Sequence, residues 1–261
     1  MNARDALREL AELSVSQWGM VTTAQATARG PSRVDLARLA RSGDLVRLAH
    51  GVYRDAGAPS DEYEDLRAAW LSTDPTRLAE ARLGDAAAGV VVSGASAAWL
   101  HQIGELGADR HEFTAPVRRQ SQRTEILYRQ RRLDPAEVTI VGGLPVTTLE
   151  RTIADLVEAR TDLSLVADAL SDAARTSRLD LERLAGLLAP LASRNGFREG
   201  DGKTLLTRLM ELAGLDVTST ANRIAADYEL AALVSIDYLR RVTNRHDLDL
   251  DDVVDAIRAI A

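Results

Sequence analysis

The sequence predicts an α+β protein with more than one folded unit. Its 261 residues exceed the usual size of a single compact core. Hydrophobic residues make up 46% and charged residues 27% of the chain, which is typical of globular rather than disordered proteins. Helical and strand-like periodicities alternate as far as about residue 147, and the periodicity is helical from there on. We therefore expect an N-terminal unit at 1–58, a mixed small-sheet and helical part at 59–160 and a helical C-terminal part at 161–261.

The first three elements are predicted to be helices. Residues 4–13 place apolar side chains on one face and charged ones elsewhere, as an amphipathic helix does. Thr22 and Thr23 can cap a short second helix that stops at Gly30. Ser32, followed three residues later by Asp35, has the spacing of a capping box and predicts the start of a third helix.

Two short strands complete the N-terminal unit. Residues 45–48 and 52–54 contain the apolar and β-branched side chains that are typical of strands. Residues 49–51 can join these two strands into a hairpin. Two helices, a tight turn, a further helix and a hairpin form a winged helix-turn-helix. That arrangement places the third helix in the major groove of double-stranded DNA.

The charge distribution favours nucleic acid locally, although the net charge of the chain is −7. Residues 1–54 carry eight arginines against five acidic residues, and residues 110–132 carry seven against two. Phosphate contact depends on charge within roughly 10 Å, because salt screens more distant charges. The two basic islands are therefore candidate phosphate-binding surfaces in an otherwise acidic protein.

The predicted DNA-binding residues lie on the second and third helices and the hairpin. Guanidinium groups on the third helix can donate to guanine or to phosphates, and the hairpin supplies further cations. The alternative is that the helix is only solvated and the unit contacts proteins. The candidate DNA-binding set is Thr22, Thr23, Gln25, Ser32, Arg33, Arg38, Arg41, Arg47, His50 and Arg54.

The mixed part should contain a small sheet. A linker at 57–60 precedes predicted helices at 61–71, capped by Ser60, and at 74–83, and a buried strand at 90–92 leads into a helix at 95–103. Segments 111–117 and 124–130 alternate around a polar turn and predict an antiparallel hairpin, with further strands at 138–141 and 144–147. The helices predicted after the sheet are 149–159, 163–174, 181–191, 204–212, 222–238 and 250–260.

The second basic island lies on this predicted hairpin and its exit. It could extend the DNA footprint, contact an RNA or dock an acidic partner. It could equally serve only to solvate a sheet edge. As a candidate second phosphate or partner surface it comprises Arg118, Arg119, Arg123, Arg129, Arg131 and Arg132.

No catalytic residue, metal site or cofactor is predicted. The stretch 200–204 ends like a phosphate-binding loop, but position 197 is Phe where that loop needs Gly, so we expect a helix-opening loop. The acidic run 247–252 lacks the Gly and Glu of a calcium-binding loop. Arg151 and Asp155 stand one helical turn apart, which is typical of an exposed ion pair.

A cytoplasmic protein without membrane contact is expected. The chain contains no cysteine, which suits a reducing compartment. Its first residues lack the apolar core of a signal peptide, and no stretch reaches the roughly 18 apolar residues of a membrane span.

The motifs resemble one known family. The runs WGMVTTAQA at 18–26, GPSR at 30–33, SGDLVRL at 42–48 and HGVY at 50–53 are similar to the N-terminal domain of AbiEi-type antitoxins. A weaker resemblance continues to about residue 160 through SGASAA at 93–98, FTAP at 113–116 and GLPVTTLERT at 143–152.

The resemblance implies an antitoxin of a type IV toxin-antitoxin pair that represses its own promoter. Its expected partners are double-stranded promoter DNA with inverted repeats and a nucleotidyltransferase-like toxin encoded beside it, antagonised directly or indirectly. Two alternatives remain: a stand-alone repressor whose C-terminal domain senses a ligand, and a DNA-targeted enzyme. A toxin-like neighbouring gene would favour the first reading, a ligand-shifted melting curve the second, and metal-dependent cleavage of DNA the third.

Overall fold

The computed structural model describes residues 2–107, 109–119, 122–177, 179–243 and 253–254. Three helices and a three-stranded sheet come first, a five-stranded mixed sheet with helices follows, and helices alone make up the rest. The predicted α+β class is confirmed. None of the helices within these ranges is both long and apolar enough to cross a membrane.

The N-terminal unit contains the predicted three helices and hairpin in order, together with a short strand at 20–22 that was not predicted. The three strands form an antiparallel sheet in the order β1-β3-β2, and buried apolar residues such as Leu10, Leu36 and Leu39 fill the space beneath it. The elements are α1 (Ala3–Ser14), β1 (Met20–Thr22), α2 (Thr23–Ala28), α3 (Arg33–Ser42), β2 (Leu45–Ala49) and β3 (Val52–Asp55).

Local capping explains where α3 begins and ends. The Ser32 side chain accepts from the backbone N–H of Asp35, and the Asp35 carboxylate accepts from the backbone N–H of Ser32, which is the predicted capping box. Gly43 ends the helix with φ at +85°, a left-handed conformation that glycine adopts at little cost. These signals lie within a few residues of each other, so the sequence alone locates this helix.

The mixed part is built on a five-stranded sheet in the order β6-β5-β4-β8-β7. Its apolar core includes Trp70, Phe113 and Val146. The elements are α4 (Glu64–Thr73), α5 (Ala79–Leu83), β4 (Val91–Val92), α6 (Gly94–Leu100), β5 (His111–Ala115), β6 (Ile126–Gln130), β7 (Val138–Val141) and β8 (Leu144–Thr147).

The antiparallel hairpin predicted at 111–117 and 124–130 is wrong, because β5 and β6 pair in parallel. Two strands joined by a tight turn must be antiparallel, whereas parallel neighbours need a connection that returns along the strand. Ten residues separate Ala115 from Ile126. They can span about 33 Å when extended, which exceeds the length of a five-residue strand.

Two helix boundaries also differ from prediction. The helix predicted at 61–71 begins at Glu64, and its cap position is Tyr63, which makes no side-chain capping bond, instead of Ser60. The helix predicted at 74–83 is only α5, beginning at Ala79. Pro75 stands near the expected start, and proline leaves the residue before it outside helical geometry.

The C-terminal part is helical, as predicted. The single helix expected at 222–238 is instead divided at Asp227, and the helix expected at 250–260 and the acidic run 247–252 lie outside the described residues except for 253 and 254. Asp201 caps the helix that follows the 200–204 stretch, so this stretch is the helix-opening loop we expected. The helices are α7 (Leu149–Glu158), α8 (Leu163–Thr176), α9 (Leu181–Leu188), α10 (Gly202–Leu212), α11 (Val217–Ala226) and α12 (Tyr228–Thr243).

Apolar packing continues across the predicted boundary at residue 58. Met20 and Val52 of the N-terminal unit belong to the same buried cluster as Trp70 of α4. The Trp18 ring meets the Trp70 ring edge-on at 6.3 Å between centroids, and the Arg67 guanidinium lies 5.1 Å from the centre of Trp18. The N-terminal unit therefore has a buried cluster of its own and also contributes residues to the core of the mixed part across residues 57–60.

Candidate nucleic-acid interface

The outer face of α3 carries the cations that the sequence predicts for it. Leu36 and Leu39 are buried beneath the helix, which leaves Arg33, Arg38 and Arg41 exposed on the opposite side. Residues three and four positions apart share one face of a helix, so Arg38 and Arg41 form one cationic surface, and Arg33 adds a further cation at the first residue of the helix.

An apolar side chain lies within this surface and was missed from the sequence. Val34 is 72% exposed although it is a large hydrophobic residue. It stands four residues before Arg38, and this spacing could have revealed it. A valine among arginines suits the major groove, where thymine offers a methyl group.

Hydrogen bonds orient two of the three arginines. Arg38 donates from Nη2 to Asp35 Oδ1 at 2.8 Å, and Arg41 donates from Nε to the carbonyl oxygen of Ala37 at 3.2 Å. The hydroxyl of Ser32 donates to Asp35 at 2.7 Å, and this hydrogen bond is the main cause of the lowered pKa of the Asp35 carboxyl. Ser32 therefore acts as a cap that holds Asp35 beneath Arg38.

The β2–β3 hairpin lies beside α2. The backbone N–H of Thr23 donates to the carbonyl oxygen of Gly51 at 2.8 Å, which ties the start of α2 to the hairpin turn. Gly51 has φ at +72°, a conformation that favours glycine in this tight turn. Arg47 and His50 of the hairpin are exposed beside this junction.

Thr22 and Gln25 are corrections to the predicted DNA-binding set. Thr22 is completely buried and Gln25 is 3% exposed, so neither side chain faces solvent. The Gln25 side chain accepts from the Thr22 backbone N–H at 2.9 Å and donates to the carbonyl oxygen of Arg77 at 2.8 Å. The Thr22 hydroxyl donates to the carbonyl oxygen of Pro75. The two residues cap α2 and hold the 75–79 segment against it.

Arg54 is a third correction. Its side chain is 11% exposed, and its Nε lies 2.5 Å from Glu64 Oε1 at the start of α4. It also donates to the carbonyl oxygen of Ala58. Arg54 therefore fastens the linker to α4, and its charge is directed at a carboxylate of the same chain.

A groove of about 620 Å³ brings most of the remaining candidates together. Four of the predicted residues line it, and Arg123 of the second basic island lines it as well. The residues around it are Thr23, Ala24, Thr27, Ala28, Arg33, Arg47, His50, Gly51, Tyr53, Ser72, Pro75 and Arg123.

The second basic island divides into two sets. Arg119 donates to the carbonyl oxygen of Thr73 at 2.6 Å and Arg123 donates to the Ser72 hydroxyl at 2.9 Å, so both lie at the end of α4. Arg129 and Arg131 instead face α7, where Arg131 donates to Asp155 at 2.7 Å and to Glu158 at 2.5 Å. The two remaining members, Arg118 and Arg132, are exposed.

The Arg151–Asp155 ion pair is buried, so the prediction of an exposed pair is wrong. The Asp155 side chain is completely buried and that of Arg151 is 8% exposed, with 2.8 Å between Arg151 Nη2 and Asp155 Oδ1. Arg131 Nη1 also lies 2.7 Å from Asp155 Oδ1, so two guanidinium groups share this buried carboxylate. Arg131 and Arg151 therefore serve as partners of a buried carboxylate.

Two histidines, His101 and His111, are partly buried. His101 lies with Nε2 2.7 Å from the carbonyl oxygen of Thr147, and burial lowers the pKa of its imidazole. Burial likewise lowers the pKa of His111. Within the described ranges, no group of three or more His, Cys, Asp or Glu side chains is arranged to hold a metal ion.

Comparison with known proteins agrees with the motifs. No curated protein shows significant similarity to the chain. The crystal structure of the RV2827C protein from Mycobacterium tuberculosis has a similar fold, with a TM-score of 0.52 and 18% identity over 83% of this chain and 80% of that chain. At this identity the likeness concerns the fold alone.

Residues 8–54, which run from within α1 into β3, match the family described as "Transcriptional regulator, AbiEi antitoxin". The resemblance seen in the sequence is therefore confirmed over residues 8–54, where the N-terminal unit of this chain is similar to transcriptional regulators of the AbiEi antitoxin family.

Proposed function

We propose that this chain is the antitoxin of a bacterial toxin-antitoxin pair and represses its own operon by binding promoter DNA through a winged helix at residues 1–58. The observation that carries the proposal is the exposed cationic face of α3 beside the hairpin, in the segment that matches antitoxin regulators. The acidic, largely helical remainder would then act against the toxin.

The chemistry of the α3 face suits base reading. An α-helix fits the major groove of B-DNA, and a guanidinium fork matches the two acceptors of guanine. Arg33 and Arg38 are the residues we assign to base or phosphate contact, and Val34 to a thymine methyl group. Arg47 and His50 would contact the backbone beside the recognition helix. Two copies related by a two-fold axis would read an inverted repeat.

The antitoxic role is assigned to residues 59–261. These residues would counteract a nucleotidyltransferase-like toxin encoded beside this gene, either by direct contact or by reversal of its effect. Both activities belong to the cytoplasm, where promoter and toxin are found together. No catalytic step is assigned to this chain.

DNA binding can be tested with a duplex covering the promoter upstream of the gene, in a mobility-shift assay at fixed salt. We expect Arg33→Ala and Arg38→Ala each to weaken binding by roughly fivefold to 150-fold, because one good arginine–guanine contact contributes about 1–3 kcal/mol. Arg175→Ala is the matched control, since Arg175 is exposed on α8, outside the N-terminal unit. Wild-type affinity in both α3 variants would refute the recognition-helix assignment.

The antitoxic role needs a test that leaves the shared core intact. Removing residues 1–58 would strip Met20 and Val52 from the cluster around Trp70, so a truncated chain could lose activity through misfolding. The full-length double variant Arg33→Ala/Arg38→Ala avoids this problem. On co-expression with the adjacent gene we expect it to rescue growth while failing to repress a promoter reporter. Loss of rescue in a stably folded double variant would show that the two roles are not separable.

A further inference from the structure

The groove beside the hairpin has one wall from the N-terminal unit and one from the mixed part. Thr23, Arg33 and Arg47 belong to the first wall, and Ser72 and Arg123 belong to the second. Arg123 thus faces the same space as four of the predicted DNA-binding residues, although it lies 73 positions after the last of these four, His50.

The position of the second wall is fixed by α4. Arg119 and Arg123 both donate to residues at the C-terminal end of this helix, where the carbonyl oxygens carry partial negative charge. The opposite side of α4 packs in the apolar cluster that contains Met20 and Val52. Since one helix contacts both the arginines and the N-terminal sheet, it holds the two walls of the groove in a fixed position relative to each other.

The groove presents hydrogen-bond donors with positive charge and no carboxylate among the residues that line it. Arg33, Arg47 and Arg123 are cationic, and His50 adds an imidazole. Thr23, Thr27 and Ser72 add hydroxyl groups to the lining. Arginine forks and hydroxyl donors together recognise phosphate oxygens.

We propose that Arg123 completes the DNA site, so that the sugar–phosphate backbone of the duplex read by α3 runs through this groove between the two walls. This inference rests on the proposed DNA-binding function and deepens it. Within the second basic island, Arg123 is assigned to phosphate, with Arg119 positioning the segment. Arg131 pairs with the buried carboxylate of Asp155, and Arg129 pairs with Glu112 and Glu158.

Duplex DNA is favoured over RNA or a protein by continuity with the α3 surface. The groove includes Arg33, the first residue of α3, and both exposed positions of α2, Thr27 and Ala28. A phosphate strand in the groove would therefore lie beside the helix that reads the bases. Backbone contacts of this kind set the register of a protein on its duplex.

The test uses the full-length protein and the promoter duplex of the mobility-shift assay, with affinity measured over a range of salt concentrations. Each phosphate contact contributes about 0.9 to the slope of log affinity against log salt. We expect Arg123→Gln to reduce the slope by about 0.9 and to weaken binding roughly threefold to tenfold at 0.15 M salt. Ser72→Asp, which places a carboxylate in the groove, should weaken binding at least as much.

Arg132→Gln is the matched control, because Arg132 is an exposed arginine of the same basic island that does not line the groove. Its slope should equal that of the wild type. Thermal melting of all variants verifies that they are folded.

The outcomes separate this inference from the proposed function. If Arg33→Ala weakens duplex binding while Arg123→Gln and Ser72→Asp leave slope and affinity unchanged, the second wall is refuted and the winged helix stands. If the wild type does not bind the duplex at all, the proposed function fails. If Arg123→Gln impairs binding of a 30-nucleotide single-stranded RNA but not of the duplex, the groove binds RNA and our assignment to duplex DNA is overturned.

Discussion

Removing the charge of Asp155 should destabilise the protein strongly. Its carboxylate is completely buried, with Arg131 at 2.7 Å and Arg151 at 2.8 Å. In Asp155→Asn the Arg151 guanidinium, 8% exposed, would keep only Glu137 at 3.7 Å as an acidic partner. Breaking a buried pair by removing one partner costs about 3–5 kcal/mol. Because Glu137 and Glu158 compensate in part, we expect about 3 kcal/mol.

Urea unfolding monitored by circular dichroism measures this change, with the midpoint and the slope compared to those of the wild type. Glu211→Gln is the control, since it makes the same carboxylate-to-amide change in an exposed pair with Arg208, with about half of each side chain exposed. There we expect less than about 0.5 kcal/mol. A loss below about 1 kcal/mol in Asp155→Asn would refute the view that Arg131 and Arg151 are held by a charged carboxylate.

Three further predictions concern packing, capping and pH. Gly202→Ala should destabilise by about 1–3 kcal/mol or more, because a Cβ there would collide with the carbonyl oxygen of Ala185 and come within 2.5 Å of the Ala189 nitrogen. Gly186→Ala in α9, where a Cβ meets nothing within 4 Å, should be neutral or stabilising by up to about 1 kcal/mol, and equal melting temperatures for the two variants would contradict the packing. Ser32→Ala should cost about 1 kcal/mol by removing the cap of α3, and an unchanged urea midpoint would show that the cap does not matter. Burial lowers the pKa of His101, so the unfolded chain binds the proton more strongly and the free energy of unfolding should fall as the pH drops below about 6.5. The stability difference between wild type and His101→Gln should therefore shrink between pH 7.5 and 5.5, and a constant difference would contradict this.

The N-terminal unit was predictable because its determinants are local. The capping box of Ser32 and Asp35 and the left-handed Gly43 lie within or beside the helix they define. Apolar periodicity then gave the orientation of α3, with Leu36 inward and Arg33 outward.

The parts that could not be predicted depend on contacts from elsewhere in the chain. Thr22 and Gln25 have a suitable position for DNA contact, but the 75–79 segment covers them. Arg151 and Asp155 have the same spacing as an exposed pair. Their burial depends on Arg131, which follows β6 and contacts Asp155 from a distant part of the chain. The parallel pairing of β5 and β6 depends on the path of their connection, which alternation of residues does not encode.

The shared core around Trp70 has a consequence for regulation. Met20 and Val52 contribute to that core, and Trp18 packs against Trp70. The helix that would read DNA therefore cannot rotate independently of the rest of the chain. In an operator complex, the spacing between two half-sites would then be dictated by the way two copies pair through their larger parts. A toxin seated on that larger part would occupy one defined place beside the promoter, so that its presence could strengthen or obstruct repression without any rearrangement of the reading helix.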